Sequence, residues 1–430
     1  MISLSVTEAP HPPPFAPARP LLWLAALAVF VLAAQTRDAG FAPDFHGLVS
    51  SHTLAIASHA AAASGFVGYG VRREDEAGKA DYDYFDRNPV FFSAGMNLVL
   101  SAAGPAPARK LYFARQAMNL IFLATLAVGF LLVRELTGDA VAAAGAALLT
   151  FSGSYFMFYK DLVHFEQPAL LGLLVLLYAI LRRQRGGSRT ALSLWALFAV
   201  SFGRGYVSLA VLGLWAALDF FSSLRAEWPR PVAAAALWLR RDAVRVLALA
   251  AALTACYLVY NVATEARLRG VSWAETSIVD SAGRRLGVVP PQYGRHASEW
   301  GNYLPVTVRR LVRLAVPYAA VKVLLQETDV ARLRAALPLA AALTALAAVF
   351  IAHLRTVPAG DRAFYALLML SGLPWLVGMR RQAASFDYTA IYFAGLLLAF
   401  FAALFARLPV RLRGAAVGAA LAVFVASTAA

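Results

Sequence analysis

The sequence predicts an all-α polytopic membrane protein. Of its 430 residues, 60% are hydrophobic and only 15% are charged, and the mean hydropathy is +0.63. Apolar runs that approach the roughly 17–25 residues of a membrane helix recur along the whole chain, and they number about eleven. The predicted spans are Pro20–Gln35, Leu111–Val133, Ala140–Phe158, Gln167–Leu181, Thr190–Phe202, Tyr206–Phe221, Val244–Tyr260, Leu337–Leu354, Phe364–Val377, Thr389–Ala406 and Ala415–Ala426, with the weaker Leu311–Leu325 either in the membrane or at its surface.

Clusters of arginine predict the orientation of these spans. Lys and Arg in short loops favour the cytoplasmic side, whereas long loops are exempt from this rule. We expect the proline-rich tail of residues 1–19 to be disordered and cytoplasmic. If the spans then alternate in direction, three basic turns lie in the cytoplasm. These turns contain Arg182, Arg183, Arg185 and Arg189; Arg225, Arg230, Arg240, Arg241 and Arg245; and Arg407, Arg411 and Arg413.

The opposite face receives most of the remaining ionisable residues. Residues 20–430 form one predicted transmembrane domain, with outer loops at 36–110 and 263–305 and shorter outer connections near 160–166 and 380–387. The net charge of +15 is explained by orientation, so we predict no nucleic-acid partner. Phosphate-loop and dinucleotide fingerprints are absent from the sequence, and its single cysteine excludes a multi-cysteine metal site.

The first outer loop begins with Asp44 and His46, close to the end of the first span. A carboxylate there is suited to general-base catalysis on an acceptor hydroxyl or amine. Asp44 is equally suited to cap an alanine-rich helix that follows it. His46, His52 and His59 lack the i, i+4 spacing that places two metal ligands on one helix face, so they do not predict a metal site by themselves.

The same loop ends in an aromatic and basic turn, with Tyr84, Asp86 and Arg87 just before Asn88-Pro89. The residue before proline is restricted to extended geometry, which makes the turn non-helical. An arginine held at the membrane surface can bind phosphate in a bidentate manner. The alternative is an aromatic belt with a local Asp86–Arg87 ion pair.

Further candidates flank the later spans. Glu166 directly precedes a predicted span, where it is either a first-turn residue stabilised by the helix dipole or a functional acid. Lys160 and Arg204 are phosphate ligands or snorkelling side chains. The remaining candidates are Asp161 and His164 before the fourth span, Arg380, Asp387 and Tyr388 before the tenth, and Arg284, Arg285, Arg295 and His296 in the later outer loop.

Together these elements resemble the GT-C superfamily of membrane glycosyltransferases, in particular the protein mannosyltransferase and aminoarabinose transferase branch. Tyr84-Phe85-Asp86-Arg87-Asn88-Pro89-Val90 is similar to the Tyr-Phe-Glu-Lys-Pro-Pro-Leu-like turn of that branch, with Asp for Glu, Arg for Lys and Asn for the first Pro. Phe386-Asp387-Tyr388 is similar to a later His-Asp-Tyr-type segment but lacks its histidine.

The resemblance implies a GT-C-like catalytic domain with juxtamembrane helices in its first outer loop. It implies transfer of a hexosyl or pentosyl group from a polyprenyl-phosphate donor to a lipid, polysaccharide or protein acceptor, on the outer face of the inner (plasma) membrane. No cofactor is required, and a divalent metal between Asp44, His46, His164 and Glu166 is left open. The implied catalytic residues are Asp44, Glu166 and His46, and the implied phosphate ligands are Arg87, Lys160, Arg204 and Arg380.

Two other functions fit parts of the pattern. A polyprenyl-lipid flippase or secondary transporter would explain the many spans, but transporters show repeats and charges near the middle of the membrane. Here the charges cluster near one face, which favours an enzyme. An O-antigen ligase or polymerase would use a polyprenyl diphosphate, and the arginines of loop 263–305 keep that alternative open.

Overall fold

A computed structural model of the chain describes residues 18–35, 53–58, 69–74, 80–84, 90–202, 205–228, 230–279, 300–320, 344–378 and 387–430. Most of these residues are helical, and one β-hairpin interrupts them. The helices are α1 (Ala18–Gln35), α2 (53–58), α3 (Val90–Ala102), α4 (Pro107–Thr137), α5 (Ala140–Phe151), α6 (Ser154–Phe158), α7 (Glu166–Gln184), α8 (Arg189–Ser201), α9 (Gly205–Ala226), α10 (Pro231–Leu239), α11 (Asp242–Arg269), α12 (Trp300–Ala315), α13 (Thr344–Thr356), α14 (Ala359–Leu370), α15 (Leu373–Gly378), α16 (Ala394–Arg407) and α17 (Val410–Ala429).

Five helical stretches within the described ranges are long and apolar enough to cross a membrane. They are Pro107–Thr137, Gly205–Arg225, Asp242–Arg269, Ala390–Arg407 and Val410–Ala429. The chain is therefore an integral membrane protein with a largely helical fold, as its composition predicts. Every predicted span overlaps a helix, but the total number of crossings stays a prediction.

Three predicted spans differ from the observed helices. The predicted Ala140–Phe158 span is two helices, α5 and α6, because the chain turns at Gly153, where a Cβ would collide with the carbonyl oxygen of Leu314. The predicted Phe364–Val377 span is likewise divided between α14 and α15. The predicted Thr389–Ala406 span begins with a 3-10 helix, Asp387–Phe393, and becomes α-helical only at Ala394.

The β-hairpin is a second departure from the predicted all-α fold. Strand β1 (Tyr69–Glu74) pairs antiparallel with β2 (Ala80–Tyr84), with Tyr69 opposite Tyr84 and an irregularity between Val71 and Arg73. Alternation of tyrosine and aspartate along β2 favours a strand, since aromatic residues fit a pleated surface. The predicted first outer loop thus contains the hairpin as well as the short helices α2 and α3.

The core is a bundle in which α7 and α5 are central. Helix α4 packs on both of them, α5 also packs on α16 and α17, and α8 and α9 pack on α7. Most residues of α7 are buried, from Glu166 to Leu181, so this helix is covered on all sides. A helix that is apolar all round belongs in such a central position. Its burial fixes the position of the polar residues at its first turn.

Ion pairs gather the three basic turns at one end of the bundle. Glu135 lies 3.1 Å from Arg182, and Asp242 lies 2.7 Å from Arg183 and 3.1 Å from Arg189. A further ion pair joins Asp139, at the start of α5, to Arg413 of α17. All these contacts lie at the end of α7 remote from Glu166. The three basic turns lie at one end of the bundle, as predicted. That this end faces the cytoplasm stays a prediction.

Candidate functional site

The site is centred on Glu166, the first residue of α7. Pro168 follows in the first turn, where a missing backbone N–H costs nothing because the first amides of a helix have no partner within the helix. The Glu166 side chain is almost completely buried, with a relative exposure of 2%. Its ionised form is stabilised by the positive end of the helix dipole. A buried carboxylate at this position is costly without further partners.

Tyr392 supplies one such partner. Its hydroxyl donates a hydrogen bond to Oε2 of Glu166, and its ring is fully buried. Tyr392 lies in the 3-10 helix Asp387–Phe393, directly before α16. This segment packs against α7, α6 and α12 as well as α16. The carboxylate therefore joins the beginning of α7 to the beginning of a span far along the chain.

His164 and Gln167 extend the polar cluster on either side of Glu166. Nδ1 of His164 lies 3.9 Å from Oε1 of Glu166, beyond hydrogen-bond distance but within the range of an ionic interaction when the imidazole is protonated. Gln167 donates through Nε2 to the carbonyl oxygen of Tyr159 at 3.4 Å. Its buried Oε1 accepts no hydrogen bond from the part of the chain described above. The first turn of α7 thus carries several buried polar groups within a largely apolar bundle.

The neighbouring candidates Lys160 and Asp161 are only half-buried. Lys160 donates from Nζ to the Met157 carbonyl oxygen at 3.4 Å, and Oδ2 of Asp161 lies 4.0 Å from Nε of Arg115. Burial, together with the Asp161 carboxylate, raises the pKa of Tyr318 above its ordinary value. Lys160 and Asp161 therefore lie at the edge of the cluster that Glu166 occupies.

Folded parts of the predicted first outer loop pack beside this cluster. The Phe92 ring of α3 contacts Phe165 edge to face with a centroid separation of 5.0 Å. Phe92 and Met96 also share an apolar cluster with Val163 and Met118. Ala57 of α2 belongs to the same apolar cluster, and its carbonyl oxygen accepts a hydrogen bond from Nδ2 of Asn97 in α3 at 2.9 Å. The residue before Glu166 is thus held by the segment that follows the predicted Arg87 turn.

The structure brings Glu166 and His164 together, with Lys160 and Asp161 in the same connection. The other predicted site residues cannot be placed beside them. Asp44, His46, Asp86, Arg87, Arg204 and Arg380 lie outside the described residues, as do the side chains of Tyr84, Asp387 and Tyr388. Within the described ranges no three His, Cys, Asp or Glu side chains form a group that could hold a metal ion.

Two residues of the cluster were not predicted as site residues. Tyr392 lies inside a predicted span, and Gln167 is the predicted first residue of another. A tyrosine within an apolar run is a usable signal, because a buried phenol generally finds a hydrogen-bond partner. The identity of that partner depends on tertiary packing, which span prediction does not give.

The cluster has a definite chemical capacity. One oxygen of a buried carboxylate is held by a phenol, and the other faces an imidazole. A carboxylate oriented in this way can accept a hydrogen bond from a substrate hydroxyl or amine, or stabilise a neighbouring cation. Its low-dielectric surroundings strengthen either interaction.

Comparison with solved structures identifies the architecture. The crystal structure of ArnT from Cupriavidus metallidurans bound to undecaprenyl phosphate superposes with a TM-score of 0.59 at 14% sequence identity, covering 93% of this chain and 61% of the ArnT chain. The chain has an ArnT-like fold. The apo state of the same ArnT gives a TM-score of 0.52, also at 14% identity, with 93% and 62% covered. No protein-family model and no curated protein match the sequence.

The ArnT-like fold bears out the resemblance as a likeness of fold, while the number of spans stays a prediction. At 14% identity the likeness concerns the fold alone. This chain spans about three fifths of the ArnT chains, 61% and 62% of their lengths. The activity of this chain therefore depends on its own residues and does not follow from the likeness of fold.

Proposed function

We propose that this protein is a membrane glycosyltransferase that moves a sugar from a polyprenyl-phosphate donor to a lipid, polysaccharide or protein acceptor. The observation that carries the proposal is an ArnT-like fold in which a buried carboxylate, Glu166, lies at the end remote from the basic turns. The ArnT of known structure binds undecaprenyl phosphate, and a donor of this class has the same two parts: an apolar tail for the bilayer and an anionic head for its surface.

The proposed reaction breaks the bond between the anomeric carbon and the phosphate oxygen of the donor. A new bond forms between that carbon and an acceptor oxygen or nitrogen, while the acceptor proton passes to a base. The released polyprenyl phosphate carries the negative charge that develops in the transition state. Fixed cationic groups at that oxygen lower the barrier because they need little reorganisation during the reaction.

We assign the phosphate contacts to Arg87, with Lys160, Arg204 and Arg380 as further cationic ligands. Lys160 belongs to the connection that directly precedes Glu166, and its ammonium donates to the Met157 carbonyl oxygen. Asp44, with His46 beside it, is assigned to the acceptor side, where it would take the acceptor proton. Glu166 is assigned to orientation of the substrate, because Tyr392 and His164 hold its two oxygens in different environments.

The orientation in the membrane belongs to the same proposal. With the basic turns in the cytoplasm, Glu166 and the first outer loop face the exterior or periplasm of a bacterial-type inner membrane. Donor lipid then reaches the site laterally, with its tail in the bilayer. Such a reaction consumes no nucleotide, in keeping with the absence of nucleotide motifs from the sequence.

The test is transfer of a labelled sugar in membranes that contain the full-length chain and a panel of polyprenyl-phosphate sugars. Glu166→Gln, Asp44→Asn and Arg87→Ala should each lower transfer, by about 10²–10⁴-fold where a proton-transfer group is lost. Glu227→Gln and Arg411→Ala, both near the basic end, are matched charge-removing controls that should retain activity. Full transfer by all three site variants would refute the assigned roles. Movement of intact donor across the membrane without cleavage would instead favour the flippase.

A further inference from the structure

Helix α12, Trp300–Ala315, has three chemically different faces. Tyr303, Thr307 and Leu314 are buried against the protein. Leu304 and Val308 form an apolar row that remains exposed, at 51% and 59% relative exposure. Residues spaced four apart lie above one another on a helix, so this row is a continuous strip. Half-buried Leu311 and Ala315 continue the same strip.

The third face carries two arginines beside Val306, which is 37% exposed. Arg309 and Arg313 are also four residues apart and both are exposed, and neither guanidinium forms an ion pair or a hydrogen bond within the described part of the chain. This face lies across the helix from the apolar strip. A helix with an apolar strip on one side and arginines on the other is typical of one that lies in the membrane interface.

Contacts of α12 fix it at the same end of the bundle as Glu166. The backbone N–H of Ser154 donates to the Val316 carbonyl oxygen at 2.9 Å, and the N–H of Tyr318 donates to the Ser152 carbonyl oxygen at 2.9 Å. Tyr303 donates through its hydroxyl to the Leu376 carbonyl oxygen of α15 at 3.0 Å. Helix α15 itself exposes Leu373 and Val377. Two neighbouring helices at this end therefore expose apolar side chains.

We propose that α12 is a docking surface for anionic phospholipid, with the Leu304 and Val308 strip in the acyl region and Arg309 and Arg313 bound to headgroup phosphates. An integral membrane protein is surrounded by lipid, and lipid beside α12 would account for apolar side chains that water would leave unfavourably exposed. Guanidinium groups match phosphate in charge and geometry. Each arginine near an anionic surface strengthens binding by about fivefold. The surface is independent of the proposed sugar transfer.

The depth of α12 can be measured on the full-length protein, because the chain has a single cysteine, Cys256. In a C256S background, nitroxide labels are placed one at a time with L304C, V308C, R309C and R313C, and the protein is reconstituted into phospholipid vesicles. Labels at Leu304 and Val308 should be more accessible to oxygen than to an aqueous nickel chelate. Labels at Arg309 and Arg313 should show the opposite preference. Aqueous exposure of the Leu304 and Val308 labels would overturn the proposal.

Lipid selectivity is measured in the same background with a bimane fluorophore on V308C. Phosphatidylglycerol and phosphatidylcholine, each with a nitroxide on its acyl chain, are compared as quenchers. Phosphatidylglycerol should quench several fold more effectively per mole, and R309Q together with R313Q should abolish the preference. R240Q together with R411Q removes two exposed arginines from the other end and should preserve it. Equal quenching by the two lipids before the arginines are changed, or the same loss in both double variants, would reject headgroup binding by α12.

Discussion

The Tyr392 hydroxyl donates a hydrogen bond to Oε2 of Glu166, which joins the segment before α16 to the first turn of α7. Tyr392→Phe removes the donor and leaves a buried carboxylate oxygen without this partner. Such a loss costs about 1–3 kcal/mol, and more for a charged group. We expect a lower melting temperature in detergent and reduced sugar transfer in membranes. Tyr303→Phe is the control. It also removes a tyrosine hydroxyl donor, but the acceptor that loses its partner is the neutral Leu376 carbonyl rather than a carboxylate.

A double-mutant cycle separates the charge of Glu166 from its packing. Glu166→Gln keeps the shape of the side chain but removes its charge, so the further cost of Tyr392→Phe should be smaller in that background. The measured quantity is the difference between the two melting-temperature shifts. Additive shifts would show that Tyr392 stabilises the bundle through its ring rather than through the carboxylate.

The pair Phe91 and Phe92 tests whether α3 holds the site. Phe92 is 3% exposed and contacts Phe165, whereas Phe91 is 60% exposed. Phe92→Ala should destabilise the protein by about 3–5 kcal/mol and reduce transfer, because it leaves a cavity beside the residue that precedes Glu166. Phe91→Ala should have little effect on either thermal unfolding or transfer. Equal effects of the two changes would exclude a specific role for the Phe92–Phe165 contact.

Gly153 is predicted to tolerate no side chain. A Cβ there would collide with the Leu314 carbonyl oxygen, a backbone atom that cannot rotate away. Gly153→Ala should therefore destabilise the fold by about 1–3 kcal/mol. Gly213→Ala, within α9, meets no atom within 4 Å and should be neutral or slightly stabilising. Thermal unfolding of both variants in detergent checks the difference, and an undisturbed Gly153→Ala variant would contradict the close approach of α12.

The Ser272–Glu275 pair predicts a pH dependence outside the membrane spans. The Ser272 hydroxyl and backbone N–H donate to Oε2 of Glu275 at 2.6 and 2.9 Å, which lowers the pKa of this carboxyl. A lowered pKa in the folded state means that the stabilisation is present above the unfolded pKa and disappears as the pH falls through the folded value. The melting-temperature difference between the natural chain and Glu275→Gln should therefore shrink on acidification. Ser272→Ala should weaken this dependence but not abolish it, because the backbone N–H still donates to Glu275. A difference that grows in acid would show the opposite sign.

Structural features that depend on local composition were predictable from the sequence. Apolar length placed the helices, and the position of Glu166 before an apolar run predicted a first-turn carboxylate, which the structure confirms. Arginine content and the alternation of spans predicted that the three basic turns share one end, where ion pairs with Glu135, Asp139 and Asp242 bring them together.

Features that depend on distant packing were not predictable in this way. The break at Gly153 follows from the approach of α12, which no local pattern encodes. The 3-10 helix before α16 is apolar enough to resemble part of a span, so the sequence did not predict Tyr392 as a site residue. The hairpin was not predicted, because its strands of six and five residues lack the apolar length of a span.

The Glu166–Tyr392 hydrogen bond also bears on the order in which the protein is made. Its two partners are separated by 226 positions in the chain. During synthesis, α7 emerges long before the segment that carries Tyr392, and domains form as their parts become available. The hydrogen bond between Tyr392 and the Glu166 carboxylate can therefore form only after a late part of the chain has been synthesised. A ribosome stalled before Tyr392 would hold a nascent chain whose helices are inserted but whose central carboxylate is still without that partner.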